Sequence, residues 1–320
     1  MHIFRTLASA ALLSLGSTAS AQVVTMATGA PGSLAYNAGQ AVAVVANHSG
    51  ITVRTQPLVG YMPLLQGAEI DFGYANGAEA VFAYTGTGNF DRAHPNVRLV
   101  GEMFQLTTGI MAPCDLGLQS VDDLAGRSDL RIASEYTSSS IIPFYIRGVL
   151  ATGGLDYRDF ESVPVSNFVS GIRALGDERV DLALVSLNAS AGQEAAVRLK
   201  ARGGLCYVSA RIGAEAEAAL AEVLPSGLIA PLPRIEGLNG LQSWDAALVR
   251  VPWMLLTNAD VSDDLVYDLT RVVHRNKDAL GIAFGAFNRA NFEAMAPEST
   301  TPYHPGAIRY FKEAGVPVAD

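Results

Sequence analysis

Val23-Val24-Thr25-Met26-Ala27-Thr28-Gly29-Ala30-Pro31-Gly32-Ser33-Leu34-Ala35-Tyr36 is the stretch on which the reading of this chain turns. Val23 to Met26 is β-branched and apolar, which suits a buried strand. Gly29, Pro31 and Gly32 then force a tight turn, since glycine accepts positive φ and proline pre-sets φ near −65°. Beyond Ser33, a natural N-cap, Ala35, Ala38, Val42 and Val45 recur at helical spacing. A helix entered this way leaves its first N–H groups unpaired and aimed at one spot, where an anion is favoured. The same pattern also serves as an ordinary strand-to-helix connection, so this segment alone decides the fold and not the function.

Outward from that unit, strands and helices alternate with short connections. Ile51 to Gln56 alternates as a half-buried strand, and Ile70 to Tyr74 is the next one. Asn76-Gly77 opens a helix to Tyr84. Val97 to Met103 and Gly109 to Ala112 read as two strands, the second a crossover. After Val121 the pattern restarts, with a strand at Leu130 to Ala133, a polar turn at Tyr136 to Ser140 and a helix at Ile141 to Leu150. Arg211 to Val223 reads as a surface helix, Ala246 to Thr257 as a strand, and the chain from Ser262 as helical. The alternation predicts an α/β fold with a mostly parallel sheet covered on both faces.

The chain has 320 residues, 49% of them hydrophobic, enough for two packed lobes. His2 and Arg5, the apolar run Leu7 to Leu15 and Ala19-Ser20-Ala21 form a secretory signal peptide, cut after Ala21 and too short to span a membrane. The mature chain then carries 21 basic and 31 acidic residues, a net charge of −10 with no basic run, which excludes nucleic acid as a partner. Cys114 and Cys206 are its only cysteines; in an exported protein they either form a bridge or are two separate buried thiols. No spacing suits zinc.

Two motifs carry a resemblance. Thr28 to Tyr36 is similar to the Thr-Gly-x-x-Gly-x-x-Tyr opening of the TAXI family, the solute-binding receptors of TRAP transporters. Tyr303-His304-Pro305-Gly306-Ala307-Ile308-Arg309-Tyr310 resembles that family's terminal motif, and the order of elements between them also fits. The resemblance implies a two-lobed, periplasmic-binding-protein-like (type II) α/β fold with the ligand cleft between lobes. It places residues 22–108 and 210–320 in the first lobe and 109–209 in the second. It also implies a monomeric periplasmic receptor that hands a small organic anion, a carboxylate or an amino acid such as glutamate, to an integral-membrane permease. The chain departs from the family at Pro57-Leu58-Val59-Gly60, where a hydroxyl-rich turn is usual, which hints at a less polar ligand end.

The candidate ligand residues follow from strand ends and polar turns. Thr28, Gly29, Ser33 and Tyr36 belong to the first turn; Tyr136, Thr137, Ser138, Ser139 and Ser140 form the second, whose hydroxyls would converge at a positive helix end. Gly60, Tyr61, Asn76, Ser186 and Asn188 follow strands, where ligands of open α/β sheets lie, and Trp253 could stack on a ligand. Uncharged donors of this kind, each worth roughly 1.5–3 kcal/mol to a charged ligand, would hold an anion without arginine. No nucleophile elbow, zinc-protease motif, phosphate loop or dinucleotide fingerprint is present, so neither enzyme nor cofactor is expected. The runner-up is the same scaffold acting as a sensor for a membrane receptor.

Overall fold

The computed structural model describes residues 23–29, 31, 33–187, 189–233 and 244–318. The expected signal peptide and Asn188 lie outside the described residues. The quoted stretch forms β1 (Val23–Ala27) and α1 (Leu34–His48), with Gly29 in the left-handed region and the Ser33 hydroxyl accepting from the Tyr36 N–H at 3.1 Å. The chain continues through β2 (Thr52–Gln56), α2 (Met62–Gln66), β3 (Phe72–Asn76), α3 (Gly77–Thr85) and β4 (Val97–Pro113). Then come β5 (Arg131–Glu135), α4 (Ile142–Ala151), β6 (Glu161–Val165), α5 (Phe168–Gly176), β7 (Ala183–Ser186), α6 (Ser190–Arg198) and β8 (Leu205–Tyr207). The last part holds α7 (Ala214–Val223), β9 (Leu228–Leu232), β10 (Ala246–Asn258), α8 (Asp263–Arg275), α9 (Lys277–Ala283) and α10 (Pro305–Ala314).

One sheet has the order β2-β1-β3-β10-β4-β7, with β8 also beside β4 and β9 beside β10; β5 and β6 pair separately. It is mixed rather than mostly parallel. The β1–β2 and β1–β3 pairs are parallel, but every pairing of β4 and β10 is antiparallel. The two strands expected at Val97 to Met103 and Gly109 to Ala112 are one strand of 17 residues. The intervening Phe104 to Thr108 reads as polar and irregular, yet it pairs residue for residue with Trp253 to Val249. Its polar side chains mark where the strand leaves one core and enters the next.

Two hydrophobic cores result. Val97, Leu99, Val100, Met103 and Phe104 of β4 pack in the first, with Met254, Leu255 and Leu256 of β10. Leu106, Ile110, Met111 and Ala112 pack in the second, with Ala246, Leu248, Val249 and Val251. The strands β4 and β10 are therefore shared by both cores. Helix α7 is not merely a surface helix: Leu220 and Leu224 are buried in the second core, and the space beside Gly148 of α4 is filled by Leu220 Cδ1. Leu34, Phe90 and Trp253 pack against both cores and sit at their junction.

Cys114 and Cys206 are bridged, across the β4–β8 pairing that sets Ala112 opposite Cys206. The terminal motif caps α10: His304 is fully buried, its Nδ1 accepts from the Gly306 N–H at 3.1 Å, and Gly306 lies against the backbone of Asp263. Helix α8 begins at Ser262, whose hydroxyl accepts from the Leu265 N–H at 3.3 Å. Replacing it with alanine (S262A) removes that acceptor and is expected to lower stability by about 1 kcal/mol in chemical denaturation.

Candidate functional site

Between the two cores lies a cleft with about 140 Å³ of space. An apolar cavity of roughly 150 Å³ is large enough to take up benzene, so the space suits a small molecule. Its walls are helix starts. Ser33, Leu34 and Ala35 come from the start of α1, and Asn76 and Glu79 from that of α3. Ile141, Ile142 and Tyr145 come from α4, and Phe168 opens α5. Leu106 and Thr108 of β4, Leu184 and Ser186 of β7 and Trp253 of β10 complete the lining. Four helix N-termini from two cores thus meet at one place; those of α1, α3 and α5 keep first-turn N–H groups with no acceptor within the helix, while at α4 Pro143 lacks an N–H and the Ile142 and Phe144 N–H groups donate to the Ser139 and Ile141 carbonyls.

The polar groups on this lining are few. Ser186 Oγ sits 3.3 Å from Thr108 Oγ1 as a hydrogen-bonded pair. Asn76 caps α3, its Oδ1 accepting from the Glu79 N–H at 2.9 Å. Tyr145 is buried, and its hydroxyl has no hydrogen-bond partner; the Trp253 Nε1–H is likewise buried and unpaired. Unpaired donors of this kind are costly in a folded chain and are common where a ligand completes them. A register shift in the β4–β10 pairing falls between Trp253 and Met254. Such irregularities re-aim side chains next to functional sites.

Among the described residues, Glu79 is the one carboxylate on the lining. Burial pushes its carboxyl up to about 7, with the Asn89 side chain acting in the opposite direction. It forms no salt bridge with any described Lys, Arg or His. Burial also pushes the Tyr145 and Tyr61 hydroxyls well up, and the Glu79 charge adds to both.

Of the residues expected from sequence, Ser33, Asn76, Ser186 and Trp253 line the cleft together. The others do not. Thr28 is fully buried, its hydroxyl donating to the Gln56 carbonyl at 3.2 Å. Gly29 shapes the turn, and Tyr36 contributes its backbone to the Ser33 cap. Gly60 is an exposed left-handed turn residue, while Tyr61 lies in the first core with its ring over Gly73. Tyr136 is buried beside Gly171.

The serine turn differs most from expectation. Its hydroxyls do not cap α4, whose cap position is Ile141 with no side-chain hydrogen bond. Ser138 Oγ donates to the Ser166 carbonyl at 2.7 Å, Ser140 Oγ accepts from Asn89 Nδ2 at 3.0 Å, and Thr137 is exposed. Ser139 donates its N–H to the Tyr136 carbonyl. The cause is the backbone: Glu135 and Tyr136 both adopt positive φ, 62° and 48°, so the turn coils against the Val165–Ser166 segment. Sequence reading missed Leu34, Ala35, Glu79, Leu106, Thr108, Ile141, Ile142, Tyr145, Phe168 and Leu184. Glu79 carried a signal, lying three residues after a capping Asn76 at a strand end.

A mixed sheet running through two α/β cores, with helix N-termini around the cleft between them, defines the two-lobed fold of periplasmic solute-binding proteins. The chain belongs to the NMT1-like family, which it matches over residues 26–315. Among solved structures it is similar to one described as a periplasmic transporter, with a TM-score of 0.52 and 12% identity over 92% of each chain. It is also similar to MatC (Rpa3494) from Rhodopseudomonas palustris with bound malate, with a TM-score of 0.51 and 14% identity over 84% of this chain and 92% of that one. Among the described residues, no helix is long and apolar enough to cross a membrane.

Proposed function

We propose that the protein is an extracytoplasmic receptor that takes a small carboxylate-bearing solute into this cleft and delivers it to a membrane permease. The observation that carries the proposal is the meeting of four helix N-termini, contributed by both cores, on one small cavity. Each presents roughly half a positive charge to a bound anion, and among the described residues no arginine or lysine lines the space. The unpaired Tyr145 hydroxyl and Trp253 Nε1–H supply further donors. We place the two lobes at the two cores, with β4 and β10 as the strands about which they close. Closure would shed water and present a changed surface to the permease. The TAXI-like motifs at Thr28 to Tyr36 and Tyr303 to Tyr310 support a TRAP-type permease as the partner.

A thermal-shift screen of small carboxylates and amino acids tests this directly. A ligand at about one hundred times its Kd stabilises the folded state by about 2.7 kcal/mol, a rise of several degrees in Tm. Filling the cleft with A35F is expected to weaken binding at least tenfold while leaving the ligand-free Tm within a few degrees of the parent. An A35F protein that binds as tightly as the parent would remove the cleft from the account. Turnover of a ligand in place of a stable complex would favour an enzyme instead.

A further inference from the structure

Glu79 is hard to reconcile with a ligand that is only an anion. Its carboxylate lines a mostly apolar cavity, where Asn76 Nδ2 donates to Oε2 at a long 3.4 Å. The groups that face it from neighbouring elements are uncharged: the Tyr61 hydroxyl beside α2, the Tyr145 hydroxyl on α4 and the Asn89 amide after α3. A second carboxylate on the ligand would be repelled from it. An apolar end laid against it would leave a buried charge unpaired, which costs several kcal/mol. A cationic group on the ligand resolves both problems. Most of the remaining lining, formed by Leu106, Ile142, Phe168, Leu184 and the Trp253 ring, is apolar or aromatic, with the Ser186–Thr108 pair, the Tyr145 hydroxyl and the Trp253 Nε1–H as its few polar groups.

Building on the receptor reading above, we infer that the cleft takes a small zwitterion with an apolar body, an α-amino acid of the leucine or phenylalanine kind, its ammonium against Glu79 and its carboxylate at the helix N-termini. Leu34 and Ala35 open α1 on one side and Phe168 opens α5 on the other, so the N–H groups for the carboxylate come from both cores; the start of α4 offers none, since Pro143 lacks an N–H and the Ile142 and Phe144 N–H groups donate to the Ser139 and Ile141 carbonyls. The ammonium would also supply the positive charge that the neutral donors beside Glu79 do not, adding shorter charge-assisted hydrogen bonds to the long one from Asn76.

The test compares matched probes by calorimetric titration at pH 7.5: L-leucine, 4-methylpentanoate, which lacks the ammonium, and 3-methylbutylamine, which lacks the carboxylate, with the phenylalanine series in parallel. The expected result is binding by an amino acid and at least tenfold weaker binding by both of its single-charge analogues. In E79Q the preference for the amino acid over its des-amino acid is expected to fall below threefold. In the parent protein the amino acid's affinity is expected to fall as pH drops below about 7, because a protonated Glu79 no longer pairs the ammonium. Binding of 4-methylpentanoate as tight as leucine, or tightening as pH falls, overturns the zwitterion while leaving the carboxylate receptor intact; Glu79 is then a neutral donor to the acid. Failure of every amino acid, with binding of some other carboxylate in the screen, also overturns it. Failure of all carboxylates and amino acids alike removes the receptor reading itself.

Discussion

Removing the Cys114–Cys206 bridge with C114A/C206A lowers the unfolding free energy by about 4–5 kcal/mol, the largest single effect expected for this chain. The bridge joins residues 92 apart and so closes a loop holding much of the second core, to which α3, β4, α7, β9 and β10 contribute from outside it. In the unfolded chain that link removes a large set of open conformations, and the entropy removed grows slowly with loop length. Cys206 is itself only 1% exposed and β8 is three residues long, so the bridge also holds a short edge strand against β4. Urea denaturation with and without reductant measures the effect. Midpoints that coincide would show that the β4–β8 pairing holds without the link.

Glutamine at position 79 makes the protein more stable, and only above a certain pH. The Glu79 carboxyl stands at about 7 in the folded chain against an ordinary value of 4.5. Between those values the unfolded chain has lost a proton that the folded chain keeps, so stability falls as pH rises through that window. Below pH 4.5 both states are protonated and the residue contributes nothing. Above pH 7 the folded state carries the full cost of an unpaired carboxylate, up to about 3 kcal/mol from the gap between the two values. E79Q should therefore match the parent at pH 4 and exceed it by up to about 3 kcal/mol at pH 8. Equal stability at both values would mean that Glu79 finds a solvated or paired environment after all. An acid held at such a cost in a ligand cleft is the kind of group that binding relieves.

The first unit of the fold was legible because its signals are local. The β1–turn–α1 boundaries, the Ser33 cap and the Asn76 cap depend on residues within a few positions of one another. The His304 cap at the start of α10 is local in the same way. The through-running β4 was not legible, because Gln105, Thr107 and Thr108 break the apolar run that marks a strand. They are polar because the strand passes between cores there, which only the pairing with β10 reveals. The mixed sheet has the same origin: alternating strands and helices suggest parallel order, and nothing local in Ala246 to Asn258 states its direction.

The site was half legible for a related reason. Strand ends and caps pointed to Ser33, Asn76 and Ser186, and aromatic stacking to Trp253, and the four share the cleft. The serine turn promised more donors than it delivers there, since two consecutive positive-φ residues turn Ser138 toward Ser166. Ile141, Tyr145 and Phe168 carry no mark in the sequence that separates a cleft residue from a core residue. Their role depends on two cores being brought together, which is tertiary information.

A crystal structure of the protein with the tightest carboxylate or amino acid from the screen tests the central claim most directly. Density is expected in the cleft, with the carboxylate within hydrogen-bonding distance of the Leu34 or Ala35 N–H, the start of α5 or the Tyr145 hydroxyl. Density at the Ser138–Ser140 turn or on an outer face, with the cleft holding only water, would contradict it.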